Sequence, residues 1–428
     1  MNKILGTFTR ALQNRRTAFL LFRTTSVNQE NHFRSMSTVR TPPVTPVLIG
    51  TPISKEEFGN FMAVFPDIVK DLTDNGVKLD VPDVTKWFEN VLQYNVPGGK
   101  NNRGLTLVQS FKTLSSPSVL TDENLKLSYI LGWCVEIVPT HCSGGGKIVS
   151  GLILTPPPPP PPPLPLQCLQ AYQLVLDDVM DNAITRRGRL CWYRQKDIGL
   201  IAVNDALLLE QAIYQLFKKY FKDKPYYKHI LELFNDVKMK SAMGQCLDML
   251  IAKSFKHKKL EKYTMDNYTA IVKYKTAYYS FFLPVCLAMH MTNTNDQDIF
   301  RRSKAILLEM GQLFQVQDDF LDCYGDPEVT GKIGTDIEDG KCSWLAVVAL
   351  QKTNSEQKKI MEDNYGINNP ANVAVIKDLY EQLKLPNAFQ LYEEDIYKLI
   401  NTRIQNLSQG LLQDMFFKFL EKIYKRTF

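Results

Sequence analysis

Apolar residues recur at the three- and four-residue spacing of α-helices along most of the chain. Helices are predicted over residues 201–222, 225–254, 264–292 and 296–322, and shorter ones continue to about residue 425. No convincing set of alternating strands accompanies them. Pro284 predicts a kink in the third helix, because proline lacks the amide hydrogen that an inner turn uses. The pattern therefore predicts an all-α bundle.

The helical pattern begins at a recognisable start signal. Ser54 to Glu57 form a capping box ahead of an apolar face, and Pro82 suits the first turn of another helix. A long apolar helix is predicted over residues 121–138. These signals place one helical domain over residues 54–428.

Composition and charge are those of an ordinary globular protein. The 428 residues are 44% hydrophobic and 22% charged, with a net charge of +6. No basic stripe is interleaved with aromatic residues, so no nucleic-acid partner is expected. No apolar run reaches roughly 18 residues, so no membrane span is expected. The eight cysteines show no zinc spacing, which indicates reduced, mostly buried thiols in an intracellular protein.

The first 40 residues differ in composition from the rest. They contain six arginines and many Ser and Thr, with Glu30 as the one acid. This composition is typical of a mitochondrial transit peptide, although a disordered basic tail has the same features. Met36 is an alternative start that gives a cytosolic form. Residues 41–53 are interpreted as a linker.

An insert over residues 139–169 interrupts the helical pattern. It contains a glycine run and eight consecutive prolines, Pro156 to Pro163, which favour an extended arm. We hypothesise that it is translated intron or an unusual splice form. Proline codons are pyrimidine-rich, and removing the insert joins Val138 to Gln170 in one helical pattern. A ligand for a proline-binding domain is the alternative. Abundant mature transcript retaining these codons would contradict the intron.

Two acidic motifs lie within apolar helical runs. Buried carboxylates are costly unless a positive group neutralises them. In the first motif Asp177 and Asp181 are four residues apart, so they share a helix face. A solvated helix end explains one such motif equally well, but a second copy of the motif favours a metal site. Two clusters that face each other across a bundle would hold Mg2+, and the metal would hold a polyphosphate. The acidic residues are Asp177, Asp178 and Asp181, then Asp318, Asp319 and Asp322.

Two glycine-rich segments carry basic residues. Residues 96–104 include Lys100 and Arg103, which suit an anion cradle, although a surface turn explains the same residues. Near the second acidic motif, glycines flank Lys332 and Lys341. That arrangement predicts a mobile lid over a phosphate site.

Together these motifs resemble the all-trans short-chain prenyl diphosphate synthases, most closely the farnesyl diphosphate synthases. The resemblance covers residues 54 to 426 apart from the insert. The motifs that carry it are Gly98–Gly104, Asp177–Asp181 with Thr185–Gly188, Gly244 and Gln245 with Asp248, Tyr274–Ala277, Gln315–Asp322 and Gly331–Trp344.

The resemblance implies an isoprenoid-synthase bundle of about ten helices around a central cavity, usually as a homodimer. The implied reaction is head-to-tail addition of isopentenyl diphosphate to dimethylallyl and then geranyl diphosphate, with several Mg2+ ions, or Mn2+ in their place. The implied metal ligands are Asp177, Asp181 and Asp318, with Asp178, Asp319, Asp322 and Asp248 as a supporting acidic shell.

The resemblance also implies substrate contacts. Those to isopentenyl diphosphate are Lys100, Arg103, Gln170 and Arg187. Those to the allylic diphosphate are Arg186, Lys275, Lys332 and Lys341. Dipoles of Lys275, Thr276 and Gln315 would stabilise the allylic cation as it forms.

Two residues before the first acidic motif bear on product length. Farnesyl synthases typically carry bulky aromatics four and five residues before the first aspartate, where they form the cavity floor. Here Tyr172 keeps the aromatic and Gln173 replaces it with an amide. We expect farnesyl diphosphate as the main product, with geranyl diphosphate released as well.

Two other functions would account for part of this pattern. A terpene synthase of the same fold needs the acidic motifs but not the isopentenyl diphosphate contacts, which are all present here. A non-catalytic scaffold using the proline arm has no need to bury so many carboxylates.

Overall fold

The computed structural model describes residues 54–78, 80–96, 101–136, 171–180, 183–186, 189–255, 260–294, 296–326, 334–408 and 410–424. All of them belong to one compact unit over residues 47–428. The expected transit peptide, the linker and the insert all lie outside these ranges, so they stay predictions.

Helices account for nearly all regular structure in the described ranges. Up to the first acidic motif they are α1 (Lys55–Ala63), α2 (Phe65–Lys78), α3 (Pro82–Asn95), α4 (Asn102–Leu114), α5 (Asp122–Glu136) and α6 (Ala171–Met180). A short antiparallel ribbon follows, β1 (Thr185–Arg186) and β2 (Arg189–Leu190), and then a 3-10 turn, Trp192–Arg194.

The remaining helices complete the bundle. They are α7 (Ile201–Phe221), α8 (Tyr227–Phe255), a 3-10 turn (Leu260–Lys262), α9 (Met265–Ile271), a π-helix (Val272–Phe282), α10 (Leu283–Met291), α11 (Gln297–Tyr324), α12 (Asp336–Asp339), α13 (Trp344–Lys352), α14 (Ser355–Asn364), α15 (Pro370–Gln382), α16 (Leu385–Gln405) and α17 (Leu411–Ile423).

The predicted all-α fold is confirmed, and the four long helical spans lie within two residues of their predicted ends. The described ranges contain more helices than the expected ten or so. One reason is that the third predicted span is divided into α9, the π-helix and α10. Pro284 lies in the first turn of α10, directly after the π-helix. The apolar pattern did not predict the short ribbon of β1 and β2.

The π-helix lies at the centre of the packing that forms the site. Its most extensive contacts are with α11 and α8. A side chain at Gly244 of α8 would place its Cβ 2.3 Å from the backbone nitrogen of Lys275, so only glycine permits this approach. The close contact brings the α8 motif against the segment that carries Lys275 and Thr276.

The long helix α11 joins two hydrophobic clusters. Ile306, Met310 and Leu313 belong to the larger one, and Val316 and Cys323 belong to the second. The second acidic motif therefore begins where α11 passes from one apolar core to the other. None of the helices in the described ranges is long and apolar enough to cross a membrane.

Candidate active site

The first acidic motif occupies the last turns of α6. Asp177 is 6% exposed and Asp178 is 3% exposed. The Nε2 atom of Gln245 donates a hydrogen bond of 2.9 Å to Oδ1 of Asp177, which ties α6 to α8. Asp181 lies outside the described residues.

The second acidic motif divides its carboxylates between two environments. Asp318 is half-buried, whereas Asp319 and Asp322 are buried. The backbone amide of Trp344 donates to Oδ2 of Asp319 at 2.8 Å, and that of Asp336 donates to Oδ1 of Asp322 at 3.0 Å. These two side chains therefore hold the segment over residues 334–344 against α11.

Burial governs the electrostatics of Asp319. It raises the pKa of this carboxyl to about 8, and the nearby Asp336 adds to the effect. Gln315 opposes it by donating from Nε2 to Oδ1 at 2.9 Å. Asp319 therefore lies in a drier environment than an ordinary surface carboxylate.

A buried ion pair lies beside these carboxylates. Lys275 on the π-helix contacts Asp248 on α8, and both side chains are less than a tenth exposed. Lys341 lies 4.0 Å from the same carboxylate. Burial lowers the pKa of Lys275, while Asp248 acts to keep it charged. Two cations from different segments thus converge on one carboxylate.

The residues expected near the reacting carbons come together. Thr276 Oγ1 donates to Gln315 Oε1 at 3.2 Å. Both residues and Lys275 line a cavity of about 40 Å³. Its other walls come from Asp248, Tyr268, Ile271, Val272, Asp319, Asp336, Lys341, Cys342 and Ser343. The predicted catalytic trio therefore shares one space with Asp319 of the second acidic motif.

Arg103 is held at the start of α4. Its Nε donates to Ser280 Oγ at 3.1 Å, and its guanidinium carbon lies 4.8 Å from the centre of the Tyr279 ring. The next amide, of Gly104, donates to Oε1 of the buried Glu136 at 2.6 Å. The first two contacts hold Arg103 against the π-helix, and the third joins the first turn of α4 to α5.

Several predicted site residues are not described by the structure. Lys100, Gln170, Asp181, Arg187 and Lys332 lie outside the described residues, as do the side chains of Tyr172, Gln173 and Arg186. Their assignments stay predictions.

Two residues without a predicted role also contact the site. Gln245 contacts Asp177, and Glu136 accepts from the first turn of α4. Gln245 is three residues before Asp248, so both lie on one face of α8. The sequence motif already contained Gln245 and Asp248, but it did not identify Asp177 as the partner of Gln245.

The donor chemistry suits a hard divalent cation. Carboxylate oxygens from Asp177 and Asp318 are the ligands that Mg2+ prefers, and burial strengthens their attraction for it. In the described ranges no group of three or more acidic, histidine or cysteine side chains is arranged to hold a metal by itself. Asp181, the expected third ligand, lies outside the described ranges.

Known prenyl synthases are similar to this chain in sequence. The polyprenyl synthetase family profile matches residues 165–383. The farnesyl pyrophosphate synthase of Gallus gallus is 43% identical over 375 residues, which are 87% of this chain and 94% of the relative. The Nezara viridula farnesyl pyrophosphate synthase is 42% identical over 401 residues, which are 94% of this chain and 89% of the relative.

Solved structures show the same similarity. T. brucei farnesyl diphosphate synthase complexed with homorisedronate superposes with a TM-score of 0.74 at 32% identity, covering 86% of this chain and 99% of that one. The expected all-helical fold and prenyltransferase activity are confirmed. The chain belongs to the polyprenyl synthetase family, as a transferase of the short-chain prenyl diphosphate synthases.

Proposed function

We propose that the chain condenses isopentenyl diphosphate with dimethylallyl diphosphate, and then with geranyl diphosphate, to give geranyl and farnesyl diphosphate. The observation that carries this proposal is the convergence of Lys275 and Lys341 on Asp248, in a cavity that Asp319 also lines. Such a site offers cations for a diphosphate and carboxylates for the metal that accompanies it.

In the proposed reaction the allylic carbon–oxygen bond breaks first, leaving diphosphate and an allylic cation. The double bond of isopentenyl diphosphate then attacks this cation and forms the new carbon–carbon bond. A proton leaves the adduct, and the released diphosphate is the base that accepts it. No histidine or cysteine nucleophile is required.

Each group in the site has a role in that sequence. Lys275 and Lys341 attract the allylic diphosphate, while the oxygen atoms of Thr276 and Gln315 present negative dipole ends to the cation. Asp177, Asp181 and Asp318 would hold Mg2+. When bound, the metal offsets the charge that develops on the leaving diphosphate.

A combined assay tests the reaction. We expect isopentenyl diphosphate to be consumed in step with the allylic diphosphate, and turnover to require Mg2+. Ionisation of the allylic substrate without loss of isopentenyl diphosphate would instead indicate a terpene synthase.

We also propose that the chain forms a homodimer. Met239, Met243 and Leu250 on α8 are each more than half exposed, and Cys246 lies exposed between them. Their spacing of four and seven residues makes a continuous apolar stripe, which suits self-association. Light scattering should give twice the chain mass for the wild type, and Met243→Asp should lower it. A monomeric wild type would refute the dimer.

Product length is proposed to depend on Gln173. Moving an amide into an apolar pocket costs roughly 1–3 kcal/mol unless it is hydrogen-bonded. We expect this cost to disfavour the longer chain, so geranyl diphosphate leaves alongside the main product, farnesyl diphosphate. Gln173→Phe should shift the ratio towards the fifteen-carbon product, as measured at limiting and at excess isopentenyl diphosphate. A dominant twenty-carbon product, or no change in the variant, would show that the floor lies elsewhere.

The N-terminal segment is proposed to direct the protein to mitochondria. One relative, 45% identical over 340 residues, is the mitochondrial farnesyl pyrophosphate synthase 1 of Arabidopsis thaliana. A reporter fused to residues 1–40 should reach mitochondria, whereas a form that starts at Met36 should stay cytosolic. Diffuse cytosolic signal from the full segment would contradict the proposal.

A further inference from the structure

The short ribbon of β1 and β2 carries Arg186, which is predicted to contact the allylic diphosphate. Arg186 lies on β1 with its backbone opposite Arg189 of β2, and the ribbon has two residues in each strand. Isolated two-stranded ribbons are marginal in water even when they are longer. Contacts from outside the ribbon must therefore stabilise it.

Tyr94, in the last turn of α3, makes those contacts. Its hydroxyl donates to the carbonyl of Leu190 at 2.7 Å, and Arg189 Nη2 donates to the carbonyl of Tyr94 at 3.2 Å. The Arg189 guanidinium carbon also lies 4.8 Å from the centre of the Tyr94 ring. Gln195 Nε2 donates to the same hydroxyl at 2.6 Å. Strand β2 is thus joined to α3 through backbone and side chain.

Tyr94 is in turn positioned by a buried carboxylate. Asp205 on α7 is 0% exposed. Its Oδ1 accepts from Trp87 Nε1 at 2.7 Å, and its Oδ2 accepts from Trp192 Nε1 at 2.8 Å. The Trp192 ring centre lies 4.9 Å from that of Tyr94. One side chain on α7 therefore orients two indoles, and through Trp192 it orients the tyrosine that holds β2.

The geometry requires a carboxylate at this position. Each indole is a donor only, so the two of them need two acceptor atoms. Asparagine offers one, and its amide nitrogen would face the other indole. A buried carboxylate is costly to desolvate, and the two indole hydrogen bonds offset that cost.

We propose that Asp205 is a positioning residue that fixes the arginine-bearing ribbon through Trp192 and Tyr94. The functional half of this inference rests on the proposed contact of Arg186 and Arg187 with the substrate diphosphates. Asp205 acts through the ribbon and does not touch substrate itself.

Asp205→Asn in the full chain tests the proposal. Amide exchange across residues 184–195 should become faster, because the Cys191 amide donates to the Ile184 carbonyl at the base of the ribbon. KM for isopentenyl or allylic diphosphate should rise about fivefold, the scale of one lost hydrogen bond, while kcat changes less than twofold. Trp87→Phe removes one donor and leaves the Trp192 contact, so its KM should rise less. If Asp205→Asn fails to fold, the rise in KM of Trp87→Phe still tests the proposal.

Trp133→Phe is the matched control. The Trp133 indole donates to the Phe61 carbonyl at 2.9 Å in the core, and the ring is fully buried. The control should lower thermal stability without changing exchange at residues 184–195 or either KM. If it changes KM as Asp205→Asn does, the effect is general destabilisation and the proposal is wrong.

Arg186→Gln separates the two parts of the inference. KM raised in Arg186→Gln but unchanged in Asp205→Asn would overturn the positioning role and leave the proposed substrate contact standing. KM unchanged in both variants would overturn the assignment of Arg186, and the positioning role with it. Unchanged exchange across residues 184–195 in Asp205→Asn would overturn the structural link on its own.

Discussion

Replacing Asp177 or Asp318 by alanine should reduce turnover by orders of magnitude while leaving the fold nearly as stable. Each change removes carboxylate oxygens proposed to bind metal, and the leaving diphosphate then loses part of its charge compensation. Stability should change little because neither carboxylate supplies apolar packing. Asp177 is 6% exposed, and burying a charged group is itself unfavourable.

The measurement is kcat at saturating Mg2+, together with the midpoint of thermal unfolding. Asp378→Ala is the control, since Asp378 is an exposed aspartate on α15, away from both motifs. It should match the wild type in both readouts. Near-normal turnover in Asp177→Ala or Asp318→Ala would refute their assignment as metal ligands.

The sequence predicted the long helices well because their apolar spacing extends over many residues. The limits of α7, α8 and α11 follow that spacing to within two residues of the prediction. The ribbon was missed because two residues per strand carry no alternating pattern. It depends on contacts between residues as distant in the chain as Tyr94 and Leu190.

The π-helix could not be predicted for a related reason. Its sequence has ordinary helical apolar spacing, and the wider turn accompanies the close approach of Gly244 to Lys275. The close contact of Gly244 with Lys275 depends on how two helices pack together. The apolar spacing within one helix therefore cannot predict it.

The acidic motifs were located from sequence, but the partners of each carboxylate were not. Asp318 and Asp322 are four residues apart, so spacing alone places both on one face. In the structure Asp322 accepts from the amide of Asp336, and Asp319 accepts from that of Trp344. Both partners belong to a segment that reaches α11 only through tertiary folding, so no local signal identifies them.

Lys275→Met should both destabilise the protein and reduce its activity. The substitution removes the ammonium that pairs with the buried carboxylate of Asp248. Breaking a buried ion pair from one side costs roughly 3–5 kcal/mol, and Lys341, at 4.0 Å from the same carboxylate, should keep the cost near the lower value. Chemical denaturation gives the loss in unfolding free energy, and steady-state kinetics gives the loss in turnover.

Lys238→Met is the matched control for stability. Lys238 pairs with Glu210 on the neighbouring helix α7, but both side chains are more exposed, at 17% and 21%. The same substitution there should cost less than at Lys275, because the more exposed pair is partly screened by water. An equal cost at both positions would show that the Lys275 pair is not buried in solution.

The double variant Lys275→Met/Asp248→Asn separates the two roles of the pair. Removing both charges leaves no buried carboxylate to compensate, so much of the lost stability should return. Turnover should stay low, because the cation proposed to meet the allylic diphosphate is still absent. A double variant that regains both stability and turnover would show that Lys275 serves folding alone and has no part in the reaction.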